Sequence, residues 1–253
     1  MKKGVVLAAA FLAFAVCAPV VAQPNARAVE TIFIDKFDEP GSYGYDWGIQ
    51  GSRFSTIDEE NGIHYPLMNY FEGMPLSLKP YHKPSDPTAQ VLGVKTKYDR
   101  KGENWLEVFP TIGGERTEIE CLGTVTQFDL WVWGAGYLYY LEILVRDAEG
   151  RTHIIPCGNL QFNGWRNLVV NVPTYIRQHS RFRSGPKNLS FLGLRVRSDV
   201  NEFVDDYVVY FDQIKYVTNT LANVYDGYEL READFGDKKT SSSTSSSGQA
   251  AEK

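Results

Sequence analysis

The chain between Val29 and Phe235 consists of short runs of β-branched, aromatic and aliphatic residues, and no stretch of it has a sustained helical period. Gly, Pro, Asn and Asp separate the runs, as they do in turns between strands. Ten strands with frequent turns are too many for one flat sheet. We therefore predict an all-β fold, a two-sheet antiparallel β-sandwich of jelly-roll type with long loops and little helix. The predicted strands are 31–37, 47–54, 90–98, 104–110, 125–133, 137–147, 151–157, 167–173, 189–198 and 207–217.

Two segments between these runs have a different character. The proline-rich segment 62–87 is predicted to be a long loop, because proline lacks the N–H group that a strand ladder needs. Residues 173–182, PTYIRQHSRF, begin with proline and do not alternate, so they are predicted to form a short helix or a turn.

The first 22 residues have the pattern of a secretory signal peptide. Lys2 and Lys3 precede an apolar run from Val5 to Val16, and a Val-Val-Ala motif ending at Ala22 suits signal peptidase. The apolar run is short for a membrane span of ~20 residues. We therefore predict export and cleavage after Ala22 rather than a membrane anchor.

The remaining chain divides into a domain and a tail. Residues 23–237 are predicted to form a single β-sandwich domain, and the Ser-rich residues 238–253 a disordered tail with too few apolar groups to offset the entropy of ordering. Loss of the leader changes the formal net charge from −5 to −7. An acidic chain is a poor binder of nucleic acid or an anionic membrane, so neither is an expected partner.

Two cysteines, Cys121 and Cys157, remain after cleavage of the leader. In an oxidising compartment they could form one disulfide, or each could be a separate buried thiol, and the sequence leaves both alternatives open. Neither has His or Cys at the short spacing of a zinc site.

The stretch 129–150, DLWVWGAGYLYYLEILVRDAEG, is unusually rich in aromatic residues. Its segment 134–136, Gly-Ala-Gly, predicts a tight turn and hence a β-hairpin. Alternation along the two strands places Trp131, Trp133 and Tyr140 on faces that mix aromatic with charged residues. Such a mixed face could meet a partner or a sugar, or be covered by a loop of the same chain. The opposite, apolar face of the first strand consists of Phe128, Leu130 and Val132.

A basic segment, 177–183, is a second candidate surface. Its three arginines, Arg177, Arg181 and Arg183, lie within seven residues. Arginine suits interfaces because its planar fork pairs with carboxylates and stacks on rings. A solvated loop is the alternative interpretation.

No combination of residues indicates catalysis. The four His are scattered, no Gly-x-Ser-x-Gly elbow occurs, and the acid pair Glu118 and Glu120 is better explained as a solvated strand face. We therefore expect a protein that is not an enzyme and has no cofactor. Asp35, Asp38 and Asp212 could in principle bind a structural calcium ion, although surface acids explain them more simply.

Six motifs, most of them long, carry unusual pairings of Trp, Tyr, Gly and Arg. They are GSRF (51–54), NYFEGMPLSLKP (69–80), VLGVKTKYDRKGENWLEVFP (91–110), DLWVWGAGYLYYLEILVRDAEG (129–150), FNGWRNLVVNVPTYIRQHSRFRSG (162–185) and DDYVVYFDQIKYVTNTLANVYDGYELRE (205–232). In these motifs the chain resembles the flagellar filament outer layer (sheath) proteins of spirochaetes, the FlaA family. The resemblance covers nearly all of the chain between the leader and the tail.

The resemblance implies a secreted structural subunit of the periplasmic flagellar filament, which coats the flagellin core and contributes to filament stiffness, shape and motility. The expected partners are the flagellin core proteins and other copies or paralogues of the sheath protein. The aromatic face and the basic segment then become candidate assembly surfaces. The alternative is a jelly-roll carbohydrate-binding module of a secreted protein, stacking sugars on Trp131, Trp133 or Tyr140.

Overall fold

The structure, a computed structural model, describes residues 29–99, 102–180 and 188–220. These residues form fifteen strands and one short 3₁₀ helix, Lys79–Tyr81. In chain order the strands are β1 (Val29–Asp35), β2 (Asp46–Gly51), β3 (Ile57–Asp58), β4 (Ile63–His64), β5 (Leu67–Glu72), β6 (Gln90–Thr96), β7 (Trp105–Ile112), β8 (Glu115–Arg116), β9 (Ile119–Glu120), β10 (Thr124–Ala135), β11 (Tyr139–Arg146), β12 (Thr152–Asn159), β13 (Asn163–Asn171), β14 (Ser190–Ser198) and β15 (Tyr207–Asn219).

Two antiparallel sheets pack face to face, as the sequence predicts. Sheet A has the order β13-β10-β15-β6-β5, with β1 paired to the C-terminal half of β15. Sheet B has the order β12-β11-β14-β7-β2, with the short strands β8 and β9 paired to β7 and β14. From β10 onward the chain crosses between the sheets repeatedly, because β10, β13 and β15 belong to sheet A whereas β11, β12 and β14 belong to sheet B.

The core lies between the sheets and is built from alternate residues of their strands. Phe128, Leu130 and Val132 of β10 are fully buried, as predicted. They belong to the same apolar cluster as Leu141 and Ile143 of β11, which are also fully buried. Burying one face of every strand is what holds a sandwich together, and the other face of each sheet is left for solvent or partners.

All ten predicted strands are present, and the predicted loop 62–87 contains two further strands. The two-residue strand β4 pairs with β3, and β5, Leu67–Glu72, pairs with β6 at the edge of sheet A. An edge strand tolerates the flanking Pro66, because one side of its ladder needs no partner. The predicted helix or turn after Pro173 is a turn, in which the Ile176 N–H donates to the Pro173 carbonyl at 3.1 Å.

The two cysteines are separate thiols. Cys121 is buried and Cys157 half-buried, and neither is in a disulfide. Burial raises the pKa of each thiol to about 12, so neither is a reactive thiolate at neutral pH.

The predicted hairpin at residues 134–136 is wrong. Strand β10 pairs with β13 and β15 in sheet A, whereas β11 pairs with β12 and β14 in sheet B. The glycines instead form a corner at which the chain passes from one sheet to the other. A Cβ on Gly134 would lie 2.6 Å from the Phe162 carbonyl oxygen, and Gly136 has a φ of +84°. Both positions therefore require glycine, for close approach and for backbone conformation respectively.

Candidate assembly surfaces

Trp131 and Trp133 lie half-buried on the outer face of sheet A. Across the sheet, Trp133 is the register partner of Trp165 on β13 and of Tyr210 on β15. The rings of Trp133 and Tyr210 meet edge to face, with centroids 5.4 Å apart and planes at 81°. This geometry is favourable for two aromatic rings, because the positive edge of one meets the negative face of the other.

Phe71 extends this series of rings to the far edge of sheet A. Its ring meets Tyr210 with centroids 5.8 Å apart and planes at 83°. Gly93 of β6 lies beneath the contact, where a Cβ would be 2.7 Å from both rings. The absence of a side chain at this position therefore lets the rings of β5 and β15 meet across the intervening strand. We call Trp165, Trp133, Tyr210 and Phe71 the aromatic row, which crosses sheet A from β13 to β5.

Polar groups occupy the same outer face further along β10. Asp129 accepts a hydrogen bond from the Asn167 side-chain amide at 2.6 Å and lies 3.3 Å from the Lys215 ammonium. Gln127 donates to Asn171 at 3.1 Å. These side chains satisfy one another within sheet A, so the apolar character of the face is concentrated at the aromatic row.

Tyr140 lies on the opposite side of the molecule, on the outer face of sheet B. Its hydroxyl donates to the Asp199 carboxylate at 3.1 Å, and the Arg197 guanidinium lies 4.8 Å above its ring. The prediction that Tyr140 shares a surface with Trp131 and Trp133 is therefore wrong. It followed from the predicted hairpin, which would have placed both strands in one sheet.

The outer face of sheet B is dominated by arginine and glutamate. Glu107 is only 5% exposed. Its carboxylate accepts hydrogen bonds from Arg195 at 2.9 and 2.6 Å and from Arg116. Burial alone would raise the pKa of Glu107, but the two guanidinium groups outweigh it and lower the pKa. The charged form of Glu107 is therefore the stable form in the folded protein.

Further ion pairs continue across this face. Arg146 donates to Glu118 at 2.7 Å, and Arg197 lies 3.4 Å from Glu142. A groove of about 590 Å³ is lined by the Arg146–Glu118 pair and by Glu107 with its two arginines, Arg116 and Arg195. We call the four arginines of this face the arginine patch: Arg116, Arg146, Arg195 and Arg197.

Arginines of the patch also lie over aromatic rings of the same face. The Arg116 guanidinium is 4.1 Å from the centroid of the Phe109 ring, and that of Arg195 is 5.5 Å from the Trp105 ring. Such cation–π contacts hold an arginine against a ring at the surface. Sheet B thus carries guanidinium groups beside aromatic rings on its outer face.

The described residues of the basic segment, 177–180, lie at the opposite end of the sandwich from the aromatic row. Gln178 accepts from the Val125 N–H and donates to the Val125 carbonyl, both at 2.7 Å. Along β10, Val125 is eight residues from Trp133, about 27 Å at the rise of an extended strand. Arg177 is exposed and donates to Glu149 at 2.6 Å. Arg181 and Arg183 lie outside the described residues.

The three candidate calcium ligands lie near one another at the end of β1 and the bulge of β15. Asp35 accepts hydrogen bonds from the Trp47 indole at 2.8 Å and the Phe37 N–H at 2.7 Å. Burial and the nearby Asp38 carboxylate raise the pKa of Asp212 to about 7. Across residues 29–99, 102–180 and 188–220, no group of three or more His, Cys, Asp or Glu side chains has the arrangement needed to hold a metal ion.

Sequence reasoning missed most of the aromatic row and the whole arginine patch. Trp165, Tyr210 and Phe71 come from segments far from Trp133 in sequence, and only the strand order brings them beside it. A signal existed for Tyr210, which alternates with the buried residues Val209 and Phe211, but Trp165 and Phe71 have no buried neighbour within their strands. That alternation shows which face a residue occupies, but it does not show which strand lies alongside.

Solved structures with similar folds include carbohydrate-binding modules. A module of the β-sandwich superfamily is 12% identical, with a TM-score of 0.40, covering 67% of this chain and 56% of that chain. A family 11 module of a cellulosomal cellulase of Clostridium thermocellum is 9% identical, with a TM-score of 0.42, covering 75% of this chain and 95% of that chain. Similarity at this level says nothing about what this chain binds. In the part of the chain that the structure describes, no helix is long and apolar enough to cross a membrane.

Curated relatives come from spirochaetes. A flagellar filament outer layer-like protein of Brachyspira hyodysenteriae is 28% identical over 135 residues, which is 53% of this chain and 60% of the relative. The flagellar filament outer layer protein of Treponema pallidum is 27% identical over 107 residues, 39% of this chain and 31% of the relative. The flagellar filament outer layer protein of Spirochaeta aurantia is 25% identical over 168 residues, which is 61% of this chain and 45% of the relative. The chain thus spans between 31% and 60% of the length of these relatives.

The family model of the flagellar filament outer layer protein matches residues 81–225, more than half of the chain. Those residues include strands β6 to β15, and with them the central strands of both sheets, most of the aromatic row and the entire arginine patch. The match therefore covers the body of the sandwich and not an isolated motif. On this evidence, the chain belongs to the flagellar filament outer layer protein family, FlaA.

Proposed function

We propose that this protein is a structural outer-layer subunit of the periplasmic flagellar filament, which coats the flagellin core and contributes to filament stiffness, shape and motility. The observation that carries the proposal is the family match over residues 81–225. Two of the curated relatives are named flagellar filament outer layer proteins. A coat subunit would need a rigid body with surfaces for neighbours, and a β-sandwich with two chemically distinct outer faces supplies both.

The residue types on the two outer faces of the sandwich support a structural role better than a catalytic one. The aromatic row and the arginine patch contain Trp, Tyr and Arg, the residue types that contribute most to binding energy at protein interfaces. Proposed partners are the flagellin core and other copies or paralogues of the sheath protein. Trp131, Trp133 and Arg177 remain candidate contact residues, together with Arg181 and Arg183. Tyr140 would act from the other side of the sandwich.

A location on the periplasmic flagellum requires export, for which we propose cleavage after Ala22. Mass spectrometry of the protein isolated from cells should then find a mature N-terminus at Gln23. An intact N-terminus beginning at Met1 would contradict the proposed route.

The coat function is tested by the composition of purified periplasmic flagella. Quantitative mass spectrometry should find the polypeptide in flagella from expressing cells, at an amount comparable to a flagellin, and not in flagella from a deletion strain. The deletion strain should also have filaments of altered curvature and reduced motility, restored by the wild-type gene. Flagella that lack the polypeptide in cells that express it would overturn the proposal.

The carbohydrate-binding alternative is less well supported by the geometry. Sugar stacking uses ring faces that lie flat on the surface, whereas Trp133, Tyr210 and Phe71 meet at 81° and 83° and so cannot all lie flat. Glycan-array binding that is lost on Trp131→Ala and Trp133→Ala, without loss of folding, would favour the alternative.

A further inference from the structure

The two outer faces of the sandwich have different and complementary chemistry. Sheet A presents aromatic rings in the half of its face that carries the aromatic row, where Phe71 is 46% exposed. Sheet B presents guanidinium groups that are paired with carboxylates but remain accessible. Their side-chain exposures are 44% for Arg116, 29% for Arg195 and 47% for Arg197.

Two guanidinium groups of the arginine patch lie against aromatic rings of their own chain. Arg197 lies over Tyr140 and Arg195 over Trp105, at 4.8 and 5.5 Å from the ring centroids. A guanidinium beside one ring can contact a second ring from outside, since it is planar and has two faces. The aromatic row supplies such rings.

The two surfaces are also comparable in size. The aromatic row crosses the five strands from β13 to β5, which is about 19 Å at the usual spacing of strands. The arginine patch extends over β14 and its neighbours β11 and β7, with β8 beside them, which is roughly 10 to 15 Å. One surface can therefore cover the other and leave little of either exposed.

Their positions on opposite sides of one sandwich decide what kind of assembly they can form. A contact between identical faces of two copies closes as a dimer and extends no further. A contact between the sheet A face of one copy and the sheet B face of the next leaves a free face at each end. Such a heterologous contact continues into a ring or a helical array, which is the form that a coat around a filament needs.

From these observations we infer that copies of this chain associate front to back, with the aromatic row of one copy on the arginine patch of the next. The partner at each surface is thus a second copy of this chain. The inference rests on the proposed coat function and deepens it, since it specifies how neighbouring coat subunits meet. The edges and ends of the sandwich then remain free to contact the flagellin core.

The test uses the chain expressed without residues 1–22 and two double variants. The ring variant carries Trp165→Ser and Phe71→Ser, and the arginine variant carries Arg146→Ser and Arg197→Ser. Sedimentation velocity over a range of concentrations should show association of the wild type. Each variant alone should remain monomeric at concentrations at least tenfold higher, because each lacks one of the two surfaces.

Mixing the variants distinguishes a front-to-back contact from every symmetric one. The ring variant retains its arginine patch and the arginine variant retains its aromatic row, so one productive contact is possible per pair. The mixture should therefore form a 1:1 heterodimer and nothing larger. A mixture that stays monomeric, either variant associating like the wild type, or a wild type that is monomeric up to its solubility limit would each overturn the inference.

Matched controls keep the result specific to the two surfaces. Phe203→Ser removes an aromatic residue that is 71% exposed, and Arg151→Ser removes an arginine whose side chain is 74% exposed. Both lie outside the two surfaces, so association should be unchanged. Circular dichroism and thermal unfolding verify folding. If a double variant is unfolded, the single changes Phe71→Ser and Arg197→Ser replace it.

The result is separable from the test of the coat function. A chain that is present in purified flagella but does not associate front to back overturns this contact alone. A chain that is absent from purified flagella overturns the coat function, whatever it does in solution.

Discussion

The rings of Tyr139 and Tyr207 stack face to face, with centroids 3.7 Å apart and planes within 2° of parallel. Tyr139 begins β11 in sheet B and Tyr207 begins β15 in sheet A, so the pair joins the two sheets directly. Both residues are fully buried. The Tyr139 hydroxyl donates to the Phe203 carbonyl at 3.1 Å, whereas the Tyr207 hydroxyl has no hydrogen-bond partner among the described residues.

The two hydroxyls should therefore differ in their contribution to stability. Tyr139→Phe should lower the free energy of unfolding by about 1 kcal/mol, since it removes the part-buried hydrogen bond to the Phe203 carbonyl. Tyr207→Phe should leave the free energy of unfolding within about 0.5 kcal/mol of the wild type or raise it, because no hydrogen bond is lost. Urea unfolding at pH 7 measures both. A larger loss for Tyr207→Phe than for Tyr139→Phe would contradict this account.

Glu107 should be important for stability at neutral pH and unimportant in acid. Glu107→Gln should lower the free energy of unfolding by roughly 2 kcal/mol at pH 7, because two guanidinium groups lose their shared carboxylate. The pKa of Glu107 is lower in the folded protein than its ordinary value of 4.5. Its stabilisation is therefore present above pH 4.5 and is lost as the pH falls through the folded pKa.

The exposed Glu115 on the adjacent strand β8 provides the control for this prediction. Glu115→Gln should change the free energy of unfolding by less than about 0.5 kcal/mol at pH 7. Chemical unfolding of both variants between pH 3 and pH 8 separates the two effects. A cost of Glu107→Gln that persists unchanged at pH 3 would show that charge is not its source.

Asp212 should have the opposite pH dependence. Burial and the Asp38 carboxylate raise its pKa to about 7 in the folded protein, from an ordinary value of 3.8. Between these two values the native state binds the proton and the unfolded state does not, so the contribution of Asp212 to stability falls as the pH rises. Asp212→Asn should therefore raise the free energy of unfolding by roughly 2 kcal/mol at pH 8 and not at pH 3. A variant less stable than the wild type at pH 8 would contradict the assignment.

Two glycines should respond differently to the same substitution. At Gly193, where φ is +145°, a Cβ would lie 2.4 Å from the Val108 carbonyl oxygen of the neighbouring strand β7. At Gly62, where φ is +67°, a Cβ would meet no atom within 4 Å. Gly62→Ala should cost about 1 kcal/mol from backbone conformation alone, and Gly193→Ala about 3 kcal/mol or more because a strand must also shift. Thermal and urea unfolding compare the two variants, and equal costs would refute the steric explanation.

Local pattern was sufficient to predict ten of the strands and the buried face of β10. In β10, apolar residues alternate with polar and aromatic ones, so Phe128 is predicted to be buried and Trp133 to lie outside without knowledge of any neighbour. Strand β5 was not predicted, because it lies beside Pro66 and has exposed residues, so its pattern resembles that of a loop. The two-residue strands β3, β4, β8 and β9 are too short to show an alternation. A strand at the edge of a sheet has a neighbour on one side only, so its sequence pattern is less constrained than that of a central strand.

The amino-acid sequence by itself determined the all-β class, the ten predicted strands and the family. Alternation and long motifs are properties of contiguous residues, so they can be recognised without the fold. Only the tertiary structure decided which strands are neighbours, and so which side chains form a surface. A hairpin and a corner between sheets both need glycines at residues 134–136, and the choice between them depends on long-range pairing with β13, β14 and β15. That pairing separates Tyr140 from Trp133 by the thickness of the sandwich, and it brings Trp165 and Tyr210 to Trp133 from distant parts of the chain.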